Sequence, residues 1–132
     1  MKDHIELISK EVVDSAFKIH VELGPGLLES VYEHLLSIEL KKRGFKVIQQ
    51  KNIPLLFDGK EFEIGFRADL WIEPGFIVEL KSTENIAPVH LKQLLTYLRL
   101  THLPLGLLIN FGEAFIKNGI RRVANTSNPK VI

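Results

Sequence analysis

Apolar positions recur at helical spacing in three stretches of the chain and at strand spacing between them. In residues 4–23, Ile5, Ile8, Val12, Ala16, Ile19 and Leu23 form one helical stripe, with Glu6, Lys10, Glu11, Asp14 and Lys18 mostly between them. Gly24-Pro25-Gly26 stops that helix. A second starts almost at once, with Leu28, Val31, Leu35 and Ile38 as its expected apolar stripe and Gly44 as its end after Lys41, Lys42 and Arg43. From Phe45 the period becomes two, or the pattern shortens to apolar runs: FKVIQQ, IPLLF, EFEIGFRADLWI and FIVELK. Asp58-Gly59 and Pro74-Gly75 read as turns, so this part predicts a mostly antiparallel sheet. A polar linker then leads to Pro88, which suits the first turn of a third helix running to about Thr101, with Leu91, Leu94, Leu95 and Leu98 at i, i+3, i+4 and i+7. The apolar run LGLLINF at 105–111 is of strand length, and the crossover through the helix favours pairing parallel to FIVELK with the right-handed sense. The polar end of the chain predicts a loosely ordered tail from about residue 122.

The hairpin at residues 66–81, FRADLWIEPGFIVELK, holds the candidate chemistry. Alternation places Phe66, Ala68, Leu70 and Ile72 on one face of its first strand and Arg67, Asp69 and Trp71 on the other. In the second strand Phe76, Val78 and Leu80 share a face, leaving Ile77, Glu79 and Lys81 together. Two carboxylates and a lysine converging across a hairpin have the composition of a magnesium site beside a cation: hard oxygen ligands, and an ammonium to hold or deprotonate a water. The plainer reading is a hydrated hairpin face. Against it stand the strongly apolar, β-branched flanks of a strand covered on both sides, where unpaired charge is costly.

A chain of 132 residues, 45% hydrophobic and 25% charged, predicts one domain over residues 1–132 with a single core. No apolar run approaches the roughly 20 residues that span a bilayer, and the charged N-terminus lacks a signal-peptide core, so a cytoplasmic protein with no membrane partner is expected. The absence of cysteine excludes disulfides, zinc-thiolate sites and thiol nucleophiles. A net charge of +1 means that nucleic-acid contact must come from a local basic patch.

The order helix, strands bearing Asp then Glu-x-Lys, helix, strand resembles the αβββαβ core of the PD-(D/E)xK nuclease superfamily, a restriction-endonuclease-like α/β fold with a central mixed sheet flanked by helices. On that resemblance Asp69 and Glu79 match the metal-binding acids and Lys81 the lysine that serves the water, while Ala68 stands where the motif has proline. Gln93-Leu94-Leu95-Thr96-Tyr97 looks like the QxxxY element of the RecB-like and lambda-exonuclease-like branches, and Glu29 matches the carboxylate often supplied by the first core helix. Gly26-Leu27-Leu28-Glu29-Ser30-Val31-Tyr32 is similar to the signature of the small GxxExxY proteins, a bacterial and archaeal branch. RADL at 67–70, VELK at 78–81, HLKQLLTYL at 90–98 and GLLINFG at 106–112 resemble further blocks of that family.

The resemblance implies a Mg²⁺- or Mn²⁺-dependent nuclease. Asp69, Glu79 and the backbone carbonyl of Leu80 would hold the metal, Glu29 a second metal or a bound water, and Lys81 the attacking water. Gln93 and Tyr97 would contact the water or the nucleic-acid backbone, DNA being the expected substrate. For Glu29 the plainer reading is the preference of an acid for the positive end of a helix dipole. For Tyr97 and Tyr32 it is a half-buried helix tyrosine. His20, His90, Arg67 and Lys51 are weaker candidates, and the Lys41, Lys42, Arg43 cluster and Arg121, Arg122 are candidate duplex clamps. Competing expectations are a catalytically silent nucleic-acid or protein binding module, a small subunit of a larger nuclease or defence complex, and a metallohydrolase of small phosphodiesters. A homodimer is open, as are strandedness, cleavage mode and DNA against RNA.

Overall fold

The first helix, α1 (Lys2–Leu23), buries the middle of its expected stripe, while Ile5 is partly buried and Leu23 is exposed: Ile8, Val12, Ala16 and Ile19 lie in the main core of the computed structural model, which describes residues 2–126. At its end Gly24 takes φ +70° and returns its N–H to the His20 carbonyl at 2.8 Å, the left-handed turn that glycine permits.

The second helix, α2 (Glu29–Lys42), turns a different face inward from the one expected. Tyr32, Leu36 and Leu40 are buried together with Glu33 and Ser37, whereas Leu28 is 73% exposed and Val31 and Ile38 also face solvent. The helix carries two apolar stripes, and the one containing the aromatic ring wins. Tyr32 stacks on Phe111 with centroids 4.4 Å apart, burying more apolar surface than a valine at the same place.

Five strands follow: β1 (Val47–Phe57), β2 (Lys60–Ile72), β3 (Phe76–Lys81), β4 (Leu105–Asn110) and β5 (Ile120–Ala124), with α3 (Pro88–Thr101) between β3 and β4. They form one mixed sheet in the order β1-β2-β3-β4-β5, antiparallel except for the parallel pair β3 and β4 that α3 connects. The layers are α1 and α2 on one face, over Leu70, Ile72, Val78, Leu80, Leu107 and Ile109, and α3 on the other, where Leu94 and Leu98 cover Ile53, Phe66, Ala68, Ile77 and Leu108. β3 and β4 are buried on both faces, hence their near-continuous apolar sequences.

The tail expected from residue 122 instead begins as a strand. β5 runs antiparallel to β4, with Ile120 and Val123 packing on opposite faces and the exposed charges of Arg121 and Arg122 guarding the sheet edge. The rest of that expectation, residues 127–132, lies outside the described residues. At the other edge Pro54 interrupts β1, which an edge strand tolerates, and the register with β2 shifts between Ile53 and Leu55. Beyond that shift the β1–β2 hairpin projects as a two-stranded arm, with Leu56 and Phe57 about 70% exposed. No helix among the described residues is long and apolar enough to cross a membrane.

Candidate active site

Simple alternation along β2 fails at one residue. Leu70 and Ile72 pack under α1 and α2 as a pair, but Phe66 and Ala68 pack under α3 together with Trp71, so the strand changes face at Asp69. The same slip occurs opposite. Val47 and Ile53 of β1 have the same parity yet lie in different cores, and Gln50 between them takes φ +51°. The β1–β2 register is unchanged on either side, but Gln50 and Asp69 themselves do not pair. A left-handed backbone at a residue other than glycine costs about 1 kcal/mol. Here it rotates both strands and brings the Asp69 carboxylate toward β3.

β2 and β3 pair from Leu70 and Val78 to Ile72 and Phe76, and side chains continue where that ladder stops. The Asp69 N–H donates to Glu79 Oε2 at 2.8 Å, and the Leu80 N–H donates to Asp69 Oδ2 at 2.8 Å. Each acid thus holds a backbone amide at the splayed strand ends, and the two carboxylates face one another. Glu79 is only 7% exposed. Burial, and next the charge of Asp69, push its carboxyl up to about 8. Glu29, in the first turn of α2, is also raised, first by desolvation; Lys81 opposes the shift, while Asp69 and Glu33 add to it. Those four charges therefore share one neighbourhood.

Two residues outside the candidates expected from the sequence, Glu33 and Gln50, stand beside these acids. Both belong to the site. Glu33 is buried, its Oε1 accepting from Gln50 Nε2 at 2.7 Å and its Oε2 from Gln49 Nε2 at 3.1 Å. Gln50 Nε2 also donates to Asp69 Oδ1 at 3.0 Å, so one amide bridges two carboxylates. Glu33 was visible by helical spacing from Glu29. Nothing in FKVIQQ marks Gln50, because its role depends on a backbone conformation and not on a pattern.

Lys81 ends β3 beside a stapled loop. Its carbonyl accepts from the Phe111 N–H at 2.8 Å, and two residues on, the buried Asn110 side chain grips Thr83: Oδ1 accepts from the Thr83 and Gly112 N–H groups, each at 3.0 Å, and Nδ2 donates to the Thr83 carbonyl at 2.9 Å. A side chain at Gly112 would collide with the Thr83 backbone, which explains the glycine. Ser82 in turn donates to the Leu27 carbonyl at 2.7 Å, and the Tyr32 hydroxyl donates to the Gly24 carbonyl while accepting from the Leu27 N–H. Tyr32 is therefore a strut for the loop that delivers Glu29. A shallow cleft of about 480 Å³ opens here, lined by Gly26, Leu27, Glu29, Ser82, Thr83 and Gly112. A second cavity, about 650 Å³, lies at the other end of β3 and β4 around Pro74-Gly75 and includes none of Glu29, Asp69, Glu79 or Lys81.

The remaining candidates divide. Tyr97 stacks on Phe66 at 3.8 Å between centroids, and its hydroxyl is raised by desolvation first and then by Glu79 and Asp69, so it borders the acids. Gln93 is exposed on α3, one turn earlier. His20 is buried and donates to the Glu113 carbonyl at 2.8 Å, tying α1 to the turn after β4. His90 Nδ1 accepts the Ala87 N–H at 3.2 Å and closes the start of α3, where alanine offers no capping side chain. Arg67, which alternation places on the face of Asp69, donates to Asn52 at 3.0 Å. Lys51 lies over the Trp71 ring at 5.5 Å. The duplex clamps are largely engaged internally. Arg43 pairs with Asp14, Glu39 and Glu11, Lys42 approaches Glu39, Arg122 pairs with Glu6, and Arg121 donates to the Asn118 and Ile120 carbonyls.

Among the described residues no three His, Cys, Asp or Glu side chains gather closely enough to hold a metal ion by themselves. The site instead offers two hard carboxylates next to the free end of a strand, in a setting that disfavours two negative charges. This donor set fits a divalent cation completed by backbone oxygen and water.

A search of solved structures finds one titled "Crystal structure of SSO0001", aligned over 95% of this chain and 81% of its own at 14% identity and a TM-score of 0.47. No curated protein matches the sequence. The family model described as the PD-(D/E)XK nuclease superfamily matches residues 6–123, a span holding both acids of the splayed hairpin, Lys81, Glu29 and the α3 residues beside them. The chain belongs to the PD-(D/E)XK nuclease superfamily.

Proposed function

We propose that this protein is a divalent-metal-dependent nuclease that hydrolyses phosphodiester bonds in DNA. The observation that carries the reading is the meeting of Asp69 and Glu79 at the splayed end of β2 and β3, each acid pinned by an amide of the opposite strand. Nucleases of the superfamily generally use divalent metals, which agrees with that donor set.

Asp69, Glu79 and the Leu80 carbonyl would hold Mg²⁺ or Mn²⁺. When bound, the ion neutralises charge on the scissile phosphate and lowers the pKa of a coordinated water. As a ligand Glu79 would have to be ionised, and because burial raises its pKa to about 8, metal affinity would rise with pH. Lys81 holds and orients the attacking water opposite the leaving oxygen. Glu29, whose charge interacts with Lys81, keeps the ammonium in place or anchors a second water or ion. Gln93 and Tyr97 meet the nucleic-acid backbone from α3.

The test is cleavage of labelled single-stranded, duplex and branched DNA and RNA with Mg²⁺, Mn²⁺ or EDTA, comparing wild type with Asp69→Asn and Lys81→Ala. Metal-dependent cutting of DNA that both variants lose is the expected result. Identical behaviour of all three proteins would refute the catalytic assignment and favour a binding module or a partner-dependent subunit.

A further inference from the structure

We infer that Gln50 is a positioning residue whose side-chain amide fixes the Asp69 carboxylate in its metal-receiving orientation, with Glu33 as the anchor for that amide. The inference rests on the metal-dependent reading above.

Three features coincide at Gln50. It is one of three non-glycine residues with positive φ among the described residues; another, Asp58, is in the β1–β2 turn, and the third, His102, caps α3, so Gln50 alone lies within a strand. It sits where both β1 and β2 change face, opposite Asp69. Its Nε2 lies 2.7 Å from Glu33 Oε1 and 3.0 Å from Asp69 Oδ1, and donates to both. A glutamine kept only to bend the strand would need no such contacts, and glycine or asparagine would adopt the left-handed backbone more easily.

The anchor is itself rigid. Glu33 is buried, and its second oxygen is held by Gln49, so Gln50 cannot follow Asp69 if that carboxylate rotates. On the far side of Asp69, Oδ2 is held by the Leu80 N–H. The carboxylate plane is thus clamped from β1 on one oxygen and from β3 on the other. Outer partners of metal ligands commonly set affinity through such orientation.

Mn²⁺ binding to the full chain, followed by titration calorimetry without nucleic acid, separates positioning from strand bending. Gln50→Gly accepts the backbone and removes the amide, while Gln50→Asn also accepts it but leaves the amide one methylene short of bridging both acids. Both variants are expected to stay folded, with the relieved backbone offsetting part of the hydrogen bonds lost at Glu33 and Asp69, and to weaken Mn²⁺ binding roughly 10- to 100-fold. Wild-type affinity in either variant overturns the inference and leaves the nuclease reading standing. Absence of Mn²⁺ binding in the wild type overturns the metal reading and this inference with it.

Discussion

Glu79 makes the metal-free protein a pH-dependent one. Its carboxyl ionises near 4.5 in the unfolded chain and near 8 in the folded one, first because burial disfavours the charge and next because Asp69 repels it. Between those values the folded state binds a proton that the unfolded state has lost, so stability must fall as pH rises. At about 1.36 kcal/mol for each tenfold change in proton activity, this single group removes roughly 3–4 kcal/mol between pH 5 and pH 8. Against a typical total of about 5–15 kcal/mol, that is a large fraction.

Glu79→Gln isolates the effect. Glutamine keeps a side-chain oxygen to accept the Asp69 N–H and has the shape of the protonated acid, but it cannot ionise. Urea unfolding in EDTA at pH 5, 6, 7 and 8 should show the two proteins within about 1 kcal/mol of one another at pH 5 and the variant ahead by roughly 3 kcal/mol at pH 8. Saturating Mg²⁺ should reverse the order at pH 8, since the ion stabilises only the carboxylate form of the folded wild type. A stability difference that stays constant from pH 5 to pH 8 would refute both the burial argument and the reason for expecting a cation.

Three further substitutions test the frame around the site. Tyr32→Phe keeps the stack on Phe111 but loses two hydrogen bonds to the Gly24–Leu27 loop; a loss of about 1–2 kcal/mol is expected by denaturant titration, with faster amide exchange in that loop. Asn110→Ala strands the amides of Thr83 and Gly112 and should cost roughly 2–4 kcal/mol by urea unfolding, and Asn110→Asp, which keeps both acceptor contacts but buries a carboxylate against the Thr83 carbonyl, should not restore that loss at neutral pH. Gly112→Ala drives a methyl into the Thr83 backbone, so a thermal midpoint lowered by several degrees is expected, corresponding to roughly 1–3 kcal/mol; an unchanged midpoint would show that the loop is not held as described.

The elements were legible where one periodicity governed them. Pro88 and the leucines at 91, 94, 95 and 98 define α3 to its observed ends, and the crossover rule gives the parallel β3–β4 pair. The placement of Glu79 was legible too, because alternation in β3 is regular and puts Ile77 and Glu79 on the side away from Val78 and Leu80. What was not legible required knowing which of two solutions the chain adopts. In α2 either apolar stripe satisfies helical spacing, and only the Phe111 ring, 79 residues downstream of Tyr32, decides between them. In β2 the even-numbered face from Phe66 to Ile72 looks continuous, yet a twist centred on Gln50 divides it between two cores. The internal ion pairs of the basic clusters were illegible for a related reason: apart from Glu39, one turn before Arg43, their acidic partners Asp14, Glu11 and Glu6 lie far away in sequence.

That division of β2 ties the site to the stability of the sheet. A strand that kept its alternation would carry the ladder between β2 and β3 past Leu70, with backbone amides paired to carbonyls. Here the ladder ends, and the next amides, those of Asp69 and Leu80, are satisfied by carboxylates instead. The two acids therefore replace backbone acceptors as well as forming a candidate metal site. Removing either side chain outright would orphan an amide and let the strands fray, so an alanine variant without activity would say little about chemistry. Asp69→Asn and Glu79→Gln each retain an oxygen for the amide and remove the ionisable group, which makes them the substitutions that separate the role of these acids in the sheet from their role toward a cation.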